Sequence, residues 1–154
     1  MPDFFASYNN KIDAKGRVSV PAAFRTELGD EKTIYCIASL ADPAIDIYTR
    51  AHIKELTNDF KAKHGVNSME FRRFQSVMSG DLFPVTIDGD GRIILPEDLR
   101  AFARIGEQAV FVGAGAYFQI WEPETRRAYR EEARNLTRRV LYDLPPGRGE
   151  RRGD

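Results

Sequence analysis

Cysteine, histidine and tryptophan are scarce in this 154-residue chain, which has one Cys, two His and one Trp. The lone Cys36 can form no internal disulfide and supplies no Cys pair for zinc, while His52 and His64 are too few for a His-rich site. No metal and no cofactor are expected. Long apolar runs are also missing, so the sequence holds no candidate membrane-spanning helix. The opening Met1-Pro2-Asp3-Phe4 has neither the basic nor the apolar region of a secretory leader, which leads us to expect a cytosolic protein. A net charge is lacking too, with 23 basic residues against 23 acidic ones. Any attraction for a polyanion must therefore be local. What the chain does have is apolar material for a packed core, at 42% of residues with ten Phe and six Tyr.

It also has a repeat. Asp13 to Arg25 reads DAKGRVSVPAAFR, and 75 positions later Asp88 to Arg100 reads DGDGRIILPEDLR. Asp13, Gly16, Arg17, Pro21 and Arg25 recur as Asp88, Gly91, Arg92, Pro96 and Arg100, with Val18, Val20 and Phe24 answered by Ile93, Leu95 and Leu99. After a slip of one residue, 33–36 aligns with 109–112, and Asp46-Ile47-Tyr48 aligns with Gln119-Ile120-Trp121. Repeats of this length are supersecondary units that bury their apolar faces on one another.

Each copy predicts the same elements. An apolar run (4–12 or 82–87) reads as a strand, the Asp-x-x-Gly stretch turns the chain, and a hairpin partner follows at 17–20 or 92–95. Pro21 and Pro96 suit the first position of a short helix, which glycine ends at Gly29 or Gly106. Two more strands complete the copy, at 33–37 with 45–48 and at 109–112 with 117–121; Gly113-Ala114-Gly115 is the turn between the second pair. Cys36, inside an apolar strand, reads as a buried structural thiol rather than a nucleophile paired with His52. Tyr48 and Trp121 read as core or interface residues. Asp88-Gly-Asp-Gly is no calcium loop, because Arg92 and Ile93 stand where a third ligand and a glycine are needed. No catalytic constellation is present, and the chain is not expected to be an enzyme.

Longer helices lie between and after the copies. One covers 51–63 with Ile53, Leu56 and Phe60 on one face. A second starts at Asn67 as N-cap, buries Phe71, Phe74 and Met78, and stops at Gly80. A third runs from Pro123 to about Tyr142. Arg72 and Arg73 on the second, and the arginines of the third, read as partners in solvated ion pairs. The organisation expected is a first repeat at 7–51, a helical linker at 52–79, a second repeat at 80–123, a C-terminal helix at 124–143 and a disordered tail at 144–154.

The two Asp-x-x-x-Arg turns carry the candidate chemistry. Asp13 and Asp88 can accept bonds from the turn's own N–H groups, and Arg17 and Arg92 can be offered to a phosphate or to guanine O6 and N7. The alternative is a salt bridge that only braces the turn. Charge separates the copies: 13–25 has three basic residues and one acidic, whereas 88–100 has two basic and four acidic. The first copy, with Lys11, Lys15 and Arg17, is therefore expected to make most contact with DNA.

Asp13-Ala-Lys-Gly-Arg-Val-Ser-Val-Pro21 and Asp88-Gly-Asp-Gly-Arg-Ile-Ile-Leu-Pro96 resemble the MraZ family, the two-repeat members of the SpoVT/AbrB-like DNA-binding group. The resemblance covers about 140 residues. One departure is Ala6, which stands where the family often has the glycine of a Phe-x-Gly stretch. The resemblance implies an α+β fold of two AbrB-like swapped-hairpin β units forming an intrachain pseudo-dimer. It implies binding of double-stranded DNA through Lys11, Asp13, Lys15, Arg17, Asp88 and Arg92, in the cytoplasm on the nucleoid. It further implies ring-shaped homo-oligomers that control transcription of the division and cell-wall gene cluster through short direct repeats. An AbrB-like antitoxin or protein-interaction module is the alternative.

Overall fold

The computed structural model describes residues 2–143 and Pro145. Strands and helices follow in the order β1 (Ser7–Lys11), β2 (Arg17–Ser19), α1 (Ala22–Leu28), β3 (Thr33–Ala38), β4 (Ile45–Tyr48), α2 (Arg50–His64), α3 (Met69–Asp81), β5 (Phe83–Thr86), β6 (Arg92–Ile94), α4 (Glu97–Ala103), β7 (Gln108–Gly113), β8 (Phe118–Trp121) and α5 (Pro123–Tyr142). The fold is α+β, with the described residues up to Glu122 as one compact unit and those from Pro123 onward as another.

The two repeats are woven into one sheet. Its six strands are ordered β1-β7-β8-β4-β3-β5, and all pairs are antiparallel. Edge strand β1 of the first repeat pairs with β7 of the second, and edge strand β5 of the second pairs with β3 of the first. Strands β2 and β6 leave this sheet and pair with each other as a separate two-stranded ribbon, Val18 facing Ile93. The local hairpin expected in each copy is thus opened: β1 and β2 form no ladder, and their join is an isolated bridge from Ile12, just past β1, to Val18, with Asn10 Nδ2 donating to Ser19 O at 2.7 Å. Exchange wins because a lone short hairpin has no covered face, whereas swapped arms share one core. This is the intrachain pseudo-dimer.

That core draws on matching positions of both copies, with Ile12 and Ile87, Val18 and Ile93, Val20 and Leu95, and Cys36 and Phe111 all under one-tenth exposed. Phe4, Phe24 and Phe118 meet at centroid distances of 4.8 to 5.4 Å, and Tyr8 stands edge-on to Phe24. Cys36 is fully buried, and desolvation pushes its thiol up to about 12. At the seam of the repeats Asp46 faces Gln119. Gln119 Nε2 donates to Asp46 Oδ1 at 2.8 Å, the Tyr48 hydroxyl donates to Asp46 Oδ2 at 3.1 Å, and Trp121 Nε1 donates to Gln119 Oε1 at 2.9 Å. Burial raises the Asp46 carboxyl above its ordinary range. Trp121 is wholly buried, as expected of a core residue.

Several boundaries differ from expectation. Strand β3 aligns with β7 at the unbroken spacing of 75, since both show the same alternation of burial; the offset falls later and amounts to two residues, in the shorter loop before β8. Pro21 and Pro96 are N-caps rather than first helical residues, their extended ψ leaving the carbonyl to accept the helix's first bonds. Helix α4 ends at Arg104 in the left-handed region, not at Gly106, whereas α1 ends at Gly29 as expected. Ser68, not Asn67, caps α3, its Oγ accepting from Phe71 N at 3.0 Å, and α3 runs through Gly80 to Asp81. Phe71 and Met78 are buried; Phe74 is half-buried and stacks on Phe60 of α2 at 4.3 Å. Arg72 and Arg73 form no ion pair among the described residues. In α5 Arg127 pairs with Glu124 at 2.7 Å. The expected tail lies, apart from Pro145, outside the described residues.

Candidate nucleic-acid interface

Each Asp-x-x-x-Arg turn is built the same way. Asp13 Oδ1 accepts from the backbone N–H groups of Lys15 and Arg17 at 3.0 and 2.9 Å, and Asp88 Oδ1 from those of Asp90 and Arg92 at 2.8 and 2.9 Å. The backbone closes the loop, Asp13 N donating to Arg17 O and Gly16 N to Asp13 O, with the equivalent pair in the second copy. These N–H bonds favour the ionised carboxylate, and both Asp residues are held below the ordinary carboxylate range.

The remaining identities of the repeat form a clamp between the copies. Gly16 and Gly91 take φ of 91° and 77°, and a Cβ on either would collide with the other repeat. On Gly16 it would lie 2.7 Å from Leu95 O and 2.9 Å from Arg100 Nε; on Gly91, 2.8 Å from Arg25 Cδ and Nη1. Arg25 Nε donates to Val20 O and Arg100 Nε to Leu95 O, both at 3.1 Å. Backbone bonds from Val20 N to Gly91 O and Leu95 N to Gly16 O extend the ribbon on either side. Glycine is needed here both for its positive φ and for the close approach.

Strand alternation then fixes what the ribbon shows to solvent. Val18 and Ile93 point into the core at 1% exposure, so Arg17, Ser19, Arg92 and Ile94 point out. The two arginines are held differently. Arg17 Nε pairs with Asp13 Oδ2 at 3.0 Å. Arg92 has two acidic neighbours, Asp88 Oδ2 at 3.7 Å from Nε and Asp90 Oδ2 at 3.2 Å from Nη2, because Asp90 stands where the first copy has Lys15. Lys15 is exposed in its turn, and Lys11, at the end of β1 opposite Gln108, is also exposed.

Residues 4–67 and 78–140 match the family described as "MraZ protein, putative antitoxin-like". The chain belongs to the MraZ family. It is 37% identical to the transcriptional regulator MraZ of Azorhizobium caulinodans over 97% of this chain and 96% of that protein. It is 36% identical to the transcriptional regulator MraZ of Beijerinckia indica over 94% and 88% of the two chains, and 36% identical to that of Rickettsia typhi over 86% and 90%.

For this MraZ-family chain the structure brings Asp13, Arg17, Asp88 and Arg92 together at one ribbon, with Lys11 and Lys15 on the first copy's side. Sequence reasoning missed Arg25 and Arg100, each bonded to a carbonyl of its own copy and packed against the glycine of the other; their recurrence was visible, and that packing across the repeat was not. It also missed Ile94, which lies in the strand expected at 92–95 and is 58% exposed. Ala6 takes a positive φ of 72°, a conformation that glycine adopts without strain. Among the described residues no group of three His, Cys, Asp or Glu could hold a metal ion, and no helix is long and apolar enough to cross a membrane.

Proposed function

We propose that this chain is a sequence-specific transcriptional regulator that binds double-stranded DNA through the β2–β6 ribbon. In this reading it acts in the cytoplasm, on the nucleoid, as a ring-shaped homo-oligomer on short direct repeats upstream of the division and cell-wall gene cluster. The observation that carries the reading is Arg17, exposed on a two-stranded ribbon and aimed by an Asp-braced turn. Paired strands lie about 4.8 Å apart and the major groove is about 12 Å wide, so such a ribbon fits the groove and can offer Arg to guanine O6 and N7. Lys15 and Lys11 add phosphate contacts on the same side. Asp13 is the positioning residue for Arg17. In the second copy Asp90 bonds Arg92 and Asp88 stands within ion-pair distance of it, which favours the first copy as the main DNA-contacting half.

A chain without net charge binds a polyanion weakly as a single copy. Linking several ribbons in one assembly along spaced DNA repeats multiplies weak contacts without adding new ones. A mobility-shift series on DNA from upstream of the chain's own gene tests the reading. Binding that falls steeply as salt rises from 50 to about 200 mM is expected of phosphate contacts. No shift at any salt, or a shift indifferent to salt, would remove DNA binding and leave the protein-interaction reading.

A further inference from the structure

The outward face of the ribbon is polar at three positions and apolar at one. Ile94 lies directly across from Arg17 and is 58% exposed. Its counterpart in the first repeat is Ser19, which faces Arg92. The outward face therefore pairs Arg with Ile at one end and Ser with Arg at the other. Strand propensity alone favours a β-branched residue in a strand, but Val18 and Ile93 already supply that inside the ribbon. Ile94 is an apolar side chain held on the face where the arginines stand. Neither charge nor core packing requires it there.

Facing residues of an antiparallel pair have Cβ atoms roughly 5 Å apart, so a ribbon that places Arg17 on a base edge brings Ile94 to the same or the next base pair. The major groove presents one apolar feature, the C5-methyl of thymine, and an exposed aliphatic group is the side chain that matches it. We propose that Ile94 is a specificity-determining residue that packs against a thymine methyl beside the base contacted by Arg17. The inference rests on the DNA-binding reading above and deepens it. The repeats then divide the work: the first supplies the cation and the second, whose own arginine is held by Asp90, supplies the apolar contact.

The test uses a duplex of the segment footprinted upstream of the gene, with each thymine replaced in turn by deoxyuridine, which removes only the methyl. Wild type, Ile94→Ala and Ile94→Ser are titrated at one salt concentration. Melting curves control for folding; the side chain is exposed and the fold is expected to be unaffected. At one thymine the wild type should lose roughly three- to fivefold in affinity on replacement, the scale of one buried methyl. Ile94→Ala should bind thymine and deoxyuridine duplexes alike there, with an unchanged salt slope. A wild type indifferent to deoxyuridine everywhere, or a deoxyuridine effect of equal size in Ile94→Ala, overturns the inference while DNA binding stands. Absence of any wild-type binding overturns both.

Discussion

Ala6 carries a backbone conformation that L residues avoid. Its φ of 72° lies between Phe4, which bonds Gly115 in both directions, and Gly113, whose N–H donates to Ala6 O at 2.9 Å. These bonds anchor the start of β1 at the β7–β8 turn, so the chain cannot relax the angle without releasing them. The left-handed region costs an L residue about 1–2 kcal/mol that glycine does not lose, offset in part by the greater freedom of glycine in the unfolded chain. Ala6→Gly should therefore hold or raise the melting temperature, by a stability gain of up to about 1 kcal/mol. A clear loss of stability, measured by thermal or denaturant unfolding, would show that this angle carries no strain. The position was legible in the sequence as a departure from the family's pattern. That alanine keeps the glycine-like angle was not, because only the bonds to Gly113 and Gly115 impose it.

At the scale of elements, each Asp-x-x-x-Arg turn is a carboxylate holding two N–H groups. The sign of its pH dependence follows from the direction of the shift: a carboxyl lowered below 3.8 by these bonds contributes stability above that value, and the contribution is lost as pH falls through the folded-state value. The backbone amide signals of Arg17 and Arg92 should accordingly titrate with midpoints below pH 3.8 in an NMR acid titration. Midpoints at or above that value would mean the bonds are absent in solution. The turns, the short helices after Pro21 and Pro96, and the long helices were readable because Asp, Gly, Pro and apolar spacing act locally. Strand partners were not. A strand of three to six residues carries no mark of which neighbour it will pair with, and the exchange of β1 and β5 between the copies depends on a shared core. The Asp46–Gln119–Trp121 network was hidden for the same reason, since the bond that joins it, from Gln119 to Asp46, crosses the seam between the copies.

At the scale of the whole molecule, repetition built the fold, and divergence of the copies distinguishes the half proposed to contact DNA. The same five residues in each copy make two turns, two cross-repeat clamps and one ribbon. On that ribbon Lys15 against Asp90 leaves Arg17 with one carboxylate within ion-pair distance and Arg92 with two, and Ser19 against Ile94 makes the outward face asymmetric. A neutral chain can thus present a local cationic edge. The measurement closest to this claim compares Arg17→Ala and Arg92→Ala by titration against the chain's own upstream DNA at one salt concentration. Loss of a base- or phosphate-directed arginine is worth roughly tenfold or more in affinity, and that loss is predicted for Arg17→Ala, with a distinctly smaller one for Arg92→Ala. Equal losses, or a larger loss from Arg92→Ala, would contradict the account.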